Sequence, residues 1–285
     1  MSTQRTQGAG WVRQLWRNRN GRVGLIIVGL LLAIAALAVL GVTPYDPRAQ
    51  HSADSFSPPS AQFWLGSDQF GRDVASRVME GVFSSLRVAV LAVAAATLVG
   101  ATAGIVAGFT GRWADRVVGR LTDMLFAFPA VLLALTIVAA LGRGWLNTAV
   151  AIAVVYTPIF VRVARGPVLS VRESDYVKAG RVLGFGAPRL LARHVLPNVA
   201  APIIVQVTLA LSWGILTESG LSFLGLGTTP PDASLGLMIS EARTLAAHGW
   251  WLLAFPSAVL VTAVIGLNLL GDGLRDVLDP IRSAD

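Results

Sequence analysis

Six long apolar runs dominate the chain, at residues 23–42, 88–109, about 121–141, 145–161, about 199–224 and 250–270. A helix of about 20 apolar residues crosses the hydrocarbon core of a bilayer, so the pattern predicts six membrane helices. The third run holds one charge, Asp123, and the fifth holds Glu218; the others hold none. The first run follows basic residues and contains Ala36-Leu37-Ala38, as a cleaved signal peptide would. Signal cores are typically about 7–15 residues long, so a retained helix is the better reading.

Polar segments between the runs fix an expected orientation. With the N-terminus inside the cell, residues 1–22, 110–120, 162–197 and 271–285 are cytoplasmic and carry 17 of the 23 Lys and Arg. Basic residues are retained on that side, which predicts a cytoplasmic location for both termini. The expected organisation is an N-terminal segment 1–22, a first helix 23–42, an external segment 43–87, a five-helix core 88–271 and a tail 272–285. An internal segment 162–197 lies within the core.

That internal segment reads as a helical hairpin. Ser174 or Asp175 is placed to cap a helix over 176–183, satisfying its free N–H groups. Gly184 suits a left-handed C-terminal cap, and Pro188 fits the first turn of a second helix. Pro197 is expected to end that second helix and Asn198 to cap the fifth membrane helix. A basic hairpin bearing Tyr176 and Phe185 has two natural roles: docking into a groove on a cytoplasmic partner or lying on anionic lipid.

Composition removes most alternatives. The chain has 285 residues, 54% apolar and only 14% charged, against about 25% charged in soluble domains. It has no cysteine, and its three histidines, His51, His194 and His248, lack metal-ligand spacing. No metal site is therefore expected. The net charge of +7 follows from retention of basic residues on the inner side, and no nucleic-acid partner is needed to explain it. Lys178 is the only lysine and does not sit in the glycine-rich loop that cradles nucleotide phosphates. No catalytic constellation stands out, so the chain is expected to be no enzyme and to carry no cofactor of its own.

Several stretches carry a family resemblance. Tyr176-Val-Lys-Ala-Gly-Arg-Val-Leu-Gly184, then nine residues, then His194-Val195-Leu196-Pro197 is similar to the "EAA" loop of ABC importer permeases. Ala179, Gly184 and the spacing to Leu196-Pro197 match, whereas Lys178, Gly180 and His194 depart from the family pattern. Residues 65–73, 218–231 and 269–280 narrow the resemblance to the second permease type of peptide and nickel importers. It implies an all-α polytopic protein with the type I importer permease fold. It also implies that the hairpin holds a coupling helix contacting an ATPase subunit through Asp175, Tyr176, Lys178, Ala179, Gly180, Leu183, Gly184 and Phe185. ATP would be bound by one or two separate cytoplasmic subunits. A homologous permease would complete the pathway, and an extracytoplasmic solute-binding protein would deliver the substrate. Short peptides are the expected cargo, with nickel chelates, glutathione or haem as alternatives. A stand-alone secondary transporter is the rival class.

Other residues have weaker assignments. Asp123 and Glu218 are candidates for pathway or gating roles because carboxylates within membrane spans are costly. Local explanations compete: an ion pair of Asp123 with Arg120, and a structural cap in which Glu218 accepts a hydrogen bond from the glycine-rich turn after it. Gly100, Gly104 and Gly108 form a strip of small residues suited to close helix packing. Arg72, Asp73 and Arg77 are candidates for external docking of the binding protein or the second permease. A purely structural lid is the competing reading. Pro129, Pro158 and Pro256 are expected to interrupt their helices.

Overall fold

The computed structural model describes residues 7–245 and 247–278, and the regular structure of these residues is helical. Two helices open the chain, α1 (Gln7–Arg17) and α2 (Arg19–Val39). Asn18 separates them, its side chain accepting a hydrogen bond from the N–H of Gly21 at 3.0 Å. It also donates to Asp276 at 3.1 Å, which fastens this corner to the far end of the chain.

The second membrane helix, α3 (Val74–Thr110), is 37 residues long and begins fourteen residues before the apolar run at 88. Hydropathy misses its first turns because Ser76, Arg77, Ser84 and Ser85 are polar yet buried by the rest of the protein. Asp73 caps its N-terminus, its carboxylate accepting from the N–H and hydroxyl of Ser76 at 2.8 and 2.6 Å. The segment between α2 and α3 is thus shorter than the expected 43–87, with one short 3-10 turn at Ser52–Asp54.

The third run is two helices and not one. Helix α4 (Arg112–Phe126) and helix α5 (Ala130–Leu141) are bent by 91° at residues 127–129. Pro129 has no N–H to offer the preceding turn and disfavours a helical conformation at Phe128, so the chain turns there. Pro158, by contrast, lies inside the continuous helix α6 (Trp145–Arg172), as does Pro256 inside α11 (Trp251–Leu278). Among the described residues, five helical stretches are long and apolar enough to cross a membrane, and the bent pair makes a sixth if counted as one span.

The hairpin consists of α7 (Asp175–Val182), α8 (Ala187–Leu190) and a π turn, Leu191–Val195, which runs on into α9 (Leu196–Phe223). Pro197 therefore does not end a helix. The widened π turn sits where that proline has no N–H to give, and the ladder continues past it. Asn198 is inside the helix, donating to the carbonyl of His194 at 2.6 Å, and caps nothing. A further helix, α10 (Leu235–Leu245), precedes α11 and was not legible as a span.

Helix α3 packs against α2, α6 and α9, while α11 packs against α2 and α9. The α3–α6 contact runs along the glycine strip. A Cβ on Gly100 or Gly104 would strike the carbonyl oxygen of Thr157 or Val161, and one on Gly108 would press on Val168. Gly104→Ala should therefore force the two backbones apart and lower stability by about 1–3 kcal/mol. Gly29→Ala, with nothing within 4 Å of the new carbon, should leave stability nearly unchanged. Thermal unfolding of the purified variants in detergent checks both.

Candidate translocation surface and coupling segment

Helix α9 leaves one side open along most of its length. At one end a groove of about 500 Å³ is lined by Tyr156, Ile159, Trp213, Leu216 and Thr217, among others. At the other a groove of about 680 Å³ is lined by Pro197, Ala201, Pro202, Leu209 and Arg275, among others. Gln206 lines both, so the two follow one face of α9. Polar groups are sparse in the first groove, where the Tyr156 and Thr217 hydroxyls bond to each other at 2.9 Å across α6 and α9. The sequence gives no cue to this surface, since an apolar helix looks alike toward lipid, protein or a pathway.

Helix α7 is built to project. Helix α6 continues ten residues beyond Arg162 before α7 begins, a rise of about 15 Å. Ser174 does not cap α7 with its side chain, which donates to the carbonyl of Val171 at 2.6 Å; its backbone carbonyl accepts from Val177 and Lys178. At the other end the N–H of Gly184 donates to Arg181 and that of Phe185 to Gly180, both at 3.0 Å. This pair of bonds is a Schellman cap, with Gly184 at φ +78° in the left-handed region.

One face of α7 is closed and the other open. Val177 is fully buried, and Gly180 lies against Leu190 and Phe185. Tyr176, Ala179, Val182 and Leu183 form an exposed stripe at i, i+3, i+6 and i+7, with Val182 88% exposed. Of the residues expected to touch an ATPase, Gly180 faces inward, and Phe185 packs under the Arg189 guanidinium, 4.4 Å from the ring centre. Gly184 shapes the turn. Asp175 and Lys178 are exposed, Lys178 standing 3.7 Å from Glu173. Val182 escapes a reading of the sequence because Val177 and Val182 look alike in a short helix until its phase is known, when the first proves buried and the second exposed.

At the opposite end of the bundle, the charges expected to face a partner are buried. Arg72, Asp73 and Arg77 are 4%, 1% and 1% exposed. The Arg72 Nε donates to Asp68 at 2.6 Å, and Arg77 reaches Asp68 at 3.6 Å and Glu241 at 3.3 Å. Residues 43–73 are thereby tied to α3 and α10, and the Trp251 indole N–H adds a bond to the carbonyl of Ser67 at 3.1 Å. These three side chains cannot be direct docking contacts in this arrangement, because the protein's own segments already cover them.

Glu218 is fully buried. It accepts hydrogen bonds from Ser222 at 2.7 Å and Ser219 at 3.3 Å, with Ser85 and Ser234 facing the same carboxylate. It lies outside both grooves and joins α9 to α3 and to the approach to α10. Asp123 is 72% exposed and pairs with Arg162 on α6 at 3.0 Å, and not with Arg120.

Comparison with known proteins places this architecture. Residues 100–283 match the family described as the inner membrane component of binding-protein-dependent transport systems. The chain belongs to that family. Residues 6–59 match the N-terminal membrane domain of oligopeptide transport permease C. A dipeptide transport system permease protein DppC of Alkalihalophilus pseudofirmus is 41% identical over 94% of this chain and 88% of its own length. A di/tripeptide transport system permease protein DppC of Pseudomonas aeruginosa is 40% identical over 94% of this chain and 92% of its own. The inward-facing MetNI methionine ABC transporter shares the fold, with a TM-score of 0.59 at 15% identity over 71% of this chain and 96% of the matched chain. The permease is thus a multi-pass membrane component of a bacterial ABC importer, with the all-α type I fold.

The buried charge cluster of the permease yields a stability test. Arg77→Ala should leave Arg72 as the remaining cationic partner of both Asp68 and Glu241 and cost about 1–3 kcal/mol. A lowered unfolding midpoint, with faster proteolysis within residues 43–73, is the expected result.

Proposed function

We propose that this permease forms half of an ATP-driven import pathway for short peptides, and that the exposed stripe on α7 is where ATPase motion enters it. The observation carrying the reading is that stripe: four residues in phase, held by a fixed cap, on a helix standing about 15 Å beyond Arg162. A stripe at that height is out of reach of the hydrocarbon core and open to a protein groove. The permease itself hydrolyses nothing and needs no cofactor; ATP is bound by separate subunits. A second, homologous permease closes the open side of α9 to complete the pathway, and a solute-binding protein delivers substrate on the far side.

Peptides are supported by the names of the relatives and by the wall of the grooves. That wall is mostly apolar, with Gln206, Thr217 and Tyr156 as neutral polar points and Asn198 and Arg275 at the second groove. A surface of this kind tolerates varied side chains and holds none strongly, which suits a path that must release its cargo. Movement of α7 shifts the whole bundle because α6 and α9 are continuous with the hairpin, giving alternating access.

Two outcomes test the reading. Gly184→Val places a β-branched side chain at φ +78°, and Ala179→Asp puts a charge in the stripe. Both complexes should insert and assemble, yet lose most peptide uptake while some ATP hydrolysis persists. Normal coupled uptake in both would remove the coupling role from α7. For orientation, a cysteine at exposed Gln62 should be modified by an impermeant reagent added to intact cells, and one at exposed Lys178 should not. Modification of Lys178→Cys from outside would invert the topology.

A further inference from the structure

The right-angle helix α4 carries two parallel stripes that neither the fold nor the transport role uses. Arg112, Arg116 and Arg120 recur every four residues, all exposed and in no ion pair among the described residues. Beside them run Trp113, Val117, Leu121 and Met124, of which Trp113, Leu121 and Met124 are 72%, 57% and 60% exposed. At about 100° per residue these are adjacent strips of one outward surface. Asp115 turns away from these strips and holds Arg165 of α6 with two bonds, at 2.5 and 2.8 Å, while Asp123, exposed at the end of the arginine strip, is taken by Arg162.

Those pairs also fix the direction of α4. Asp115 and Asp123 are eight residues apart, about 12 Å along α4, while their partners are three residues apart, about 4.5 Å along α6. Helix α4 therefore crosses α6 steeply, in accord with its 91° bend from α5, which packs alongside α6. The crossing is at the level of Arg162, seventeen residues or about 26 Å from the start of α6 at Trp145. The hydrocarbon core is about 30 Å thick, so α4 lies at its boundary and not beyond it. The apolar strip is continuous with the exposed Phe128, Val131 and Leu132 that lead into α5.

We propose that α4 is an interfacial helix, its apolar strip seated at the acyl boundary and its arginine strip binding the headgroups of anionic phospholipids. A basic face next to an apolar face is the signature of helices that lie in a membrane surface. Anionic headgroups match three unpaired guanidinium groups in charge and in hydrogen-bonding capacity. Through Asp115–Arg165 and Asp123–Arg162 the lipid surface is linked directly to α6, the helix that continues toward α7. The assignment rests on the cytoplasmic placement of residues 110–120 proposed above.

The chain has no cysteine, so single fluorophores can be attached at Met124→Cys and, separately, at Leu121→Cys in the assembled complex. The complexes are placed in nanodiscs holding brominated phosphatidylglycerol or brominated phosphatidylcholine at equal mole fraction. Both lipids should quench the fluorophore, phosphatidylglycerol more strongly. Combining the label with Arg116→Gln and Arg120→Gln should abolish that preference, each arginine removed lowering affinity about five-fold. Absence of quenching at both positions would mean that water or a second protein covers α4, and the proposal falls. A preference unchanged by the two substitutions, or no preference in the unsubstituted chain, overturns it equally. ATP-driven uptake measured with the same unlabelled complex keeps the two ideas apart. Uptake without quenching rejects only the lipid site, and quenching without uptake rejects only the transport reading.

Discussion

Within a bilayer, apolar burial gives helices little reason to prefer one another over lipid, so close packing has to supply the cohesion. Here that cohesion centres on the glycine strip of α3. Gly100 and Gly104 admit the carbonyls of Thr157 and Val161 to a distance that no Cβ would allow. Helix α6 is held there along its middle, and everything presented at one end of the molecule hangs from it. Arg162 and Arg165 hold α4 across that end. Arg172 donates to the carbonyl of Gly108 at 3.0 Å, closing the far end of the same contact. Helix α7 then follows from the last turn of α6. A small change in the α3–α6 spacing would displace α4 and α7 together.

Electrostatics divides the two ends. At the end holding residues 43–73, Asp68, Arg72, Arg77 and Glu241 pair with one another, and the buried charges serve cohesion. At the end holding α4 and α7, Asp115 and Asp123 are taken up by arginines of α6, while Arg112, Arg116, Arg120 and apolar side chains remain outward. The charge cluster at the first end is consumed by the fold, whereas the arginines of α4 at the other stay exposed. The two helices at that end differ by height along α6: α4 lies at the hydrocarbon boundary, and α7 stands clear of it. The same geometric fact separates the lipid contact proposed for α4 from the protein contact proposed for α7.

Much was legible in the linear pattern, for definite physical reasons. Membrane crossing needs about 20 apolar residues in succession, which is a local property, and each expected run contributed to a helix. Turn chemistry is equally local, and Gly184 adopts the left-handed conformation that its position after 176–183 requires. The motif spacing of the hairpin led to the family that residues 100–283 match. Where a local rule competes with a second one, the reading slipped. Pro129 broke its helix and Pro158 did not, because α6 is packed along both flanks of its proline by α3 and α9, whereas residues 127–129 have exposed neighbours.

Burial was decided by the tertiary structure alone. Arg72 and Arg77 look like surface charges in sequence, and become interior ones because α10, sixty residues beyond the end of α6, brings Glu241 over them. Glu218 looks like a pathway carboxylate until Ser85 and Ser234 arrive from other segments to surround it. The open side of α9, with Gln206 at the junction of two grooves, has no counterpart in hydropathy. Periodicity records which side chains share a face of a helix. What that face meets depends on residues far away along the chain, and only packing settles it.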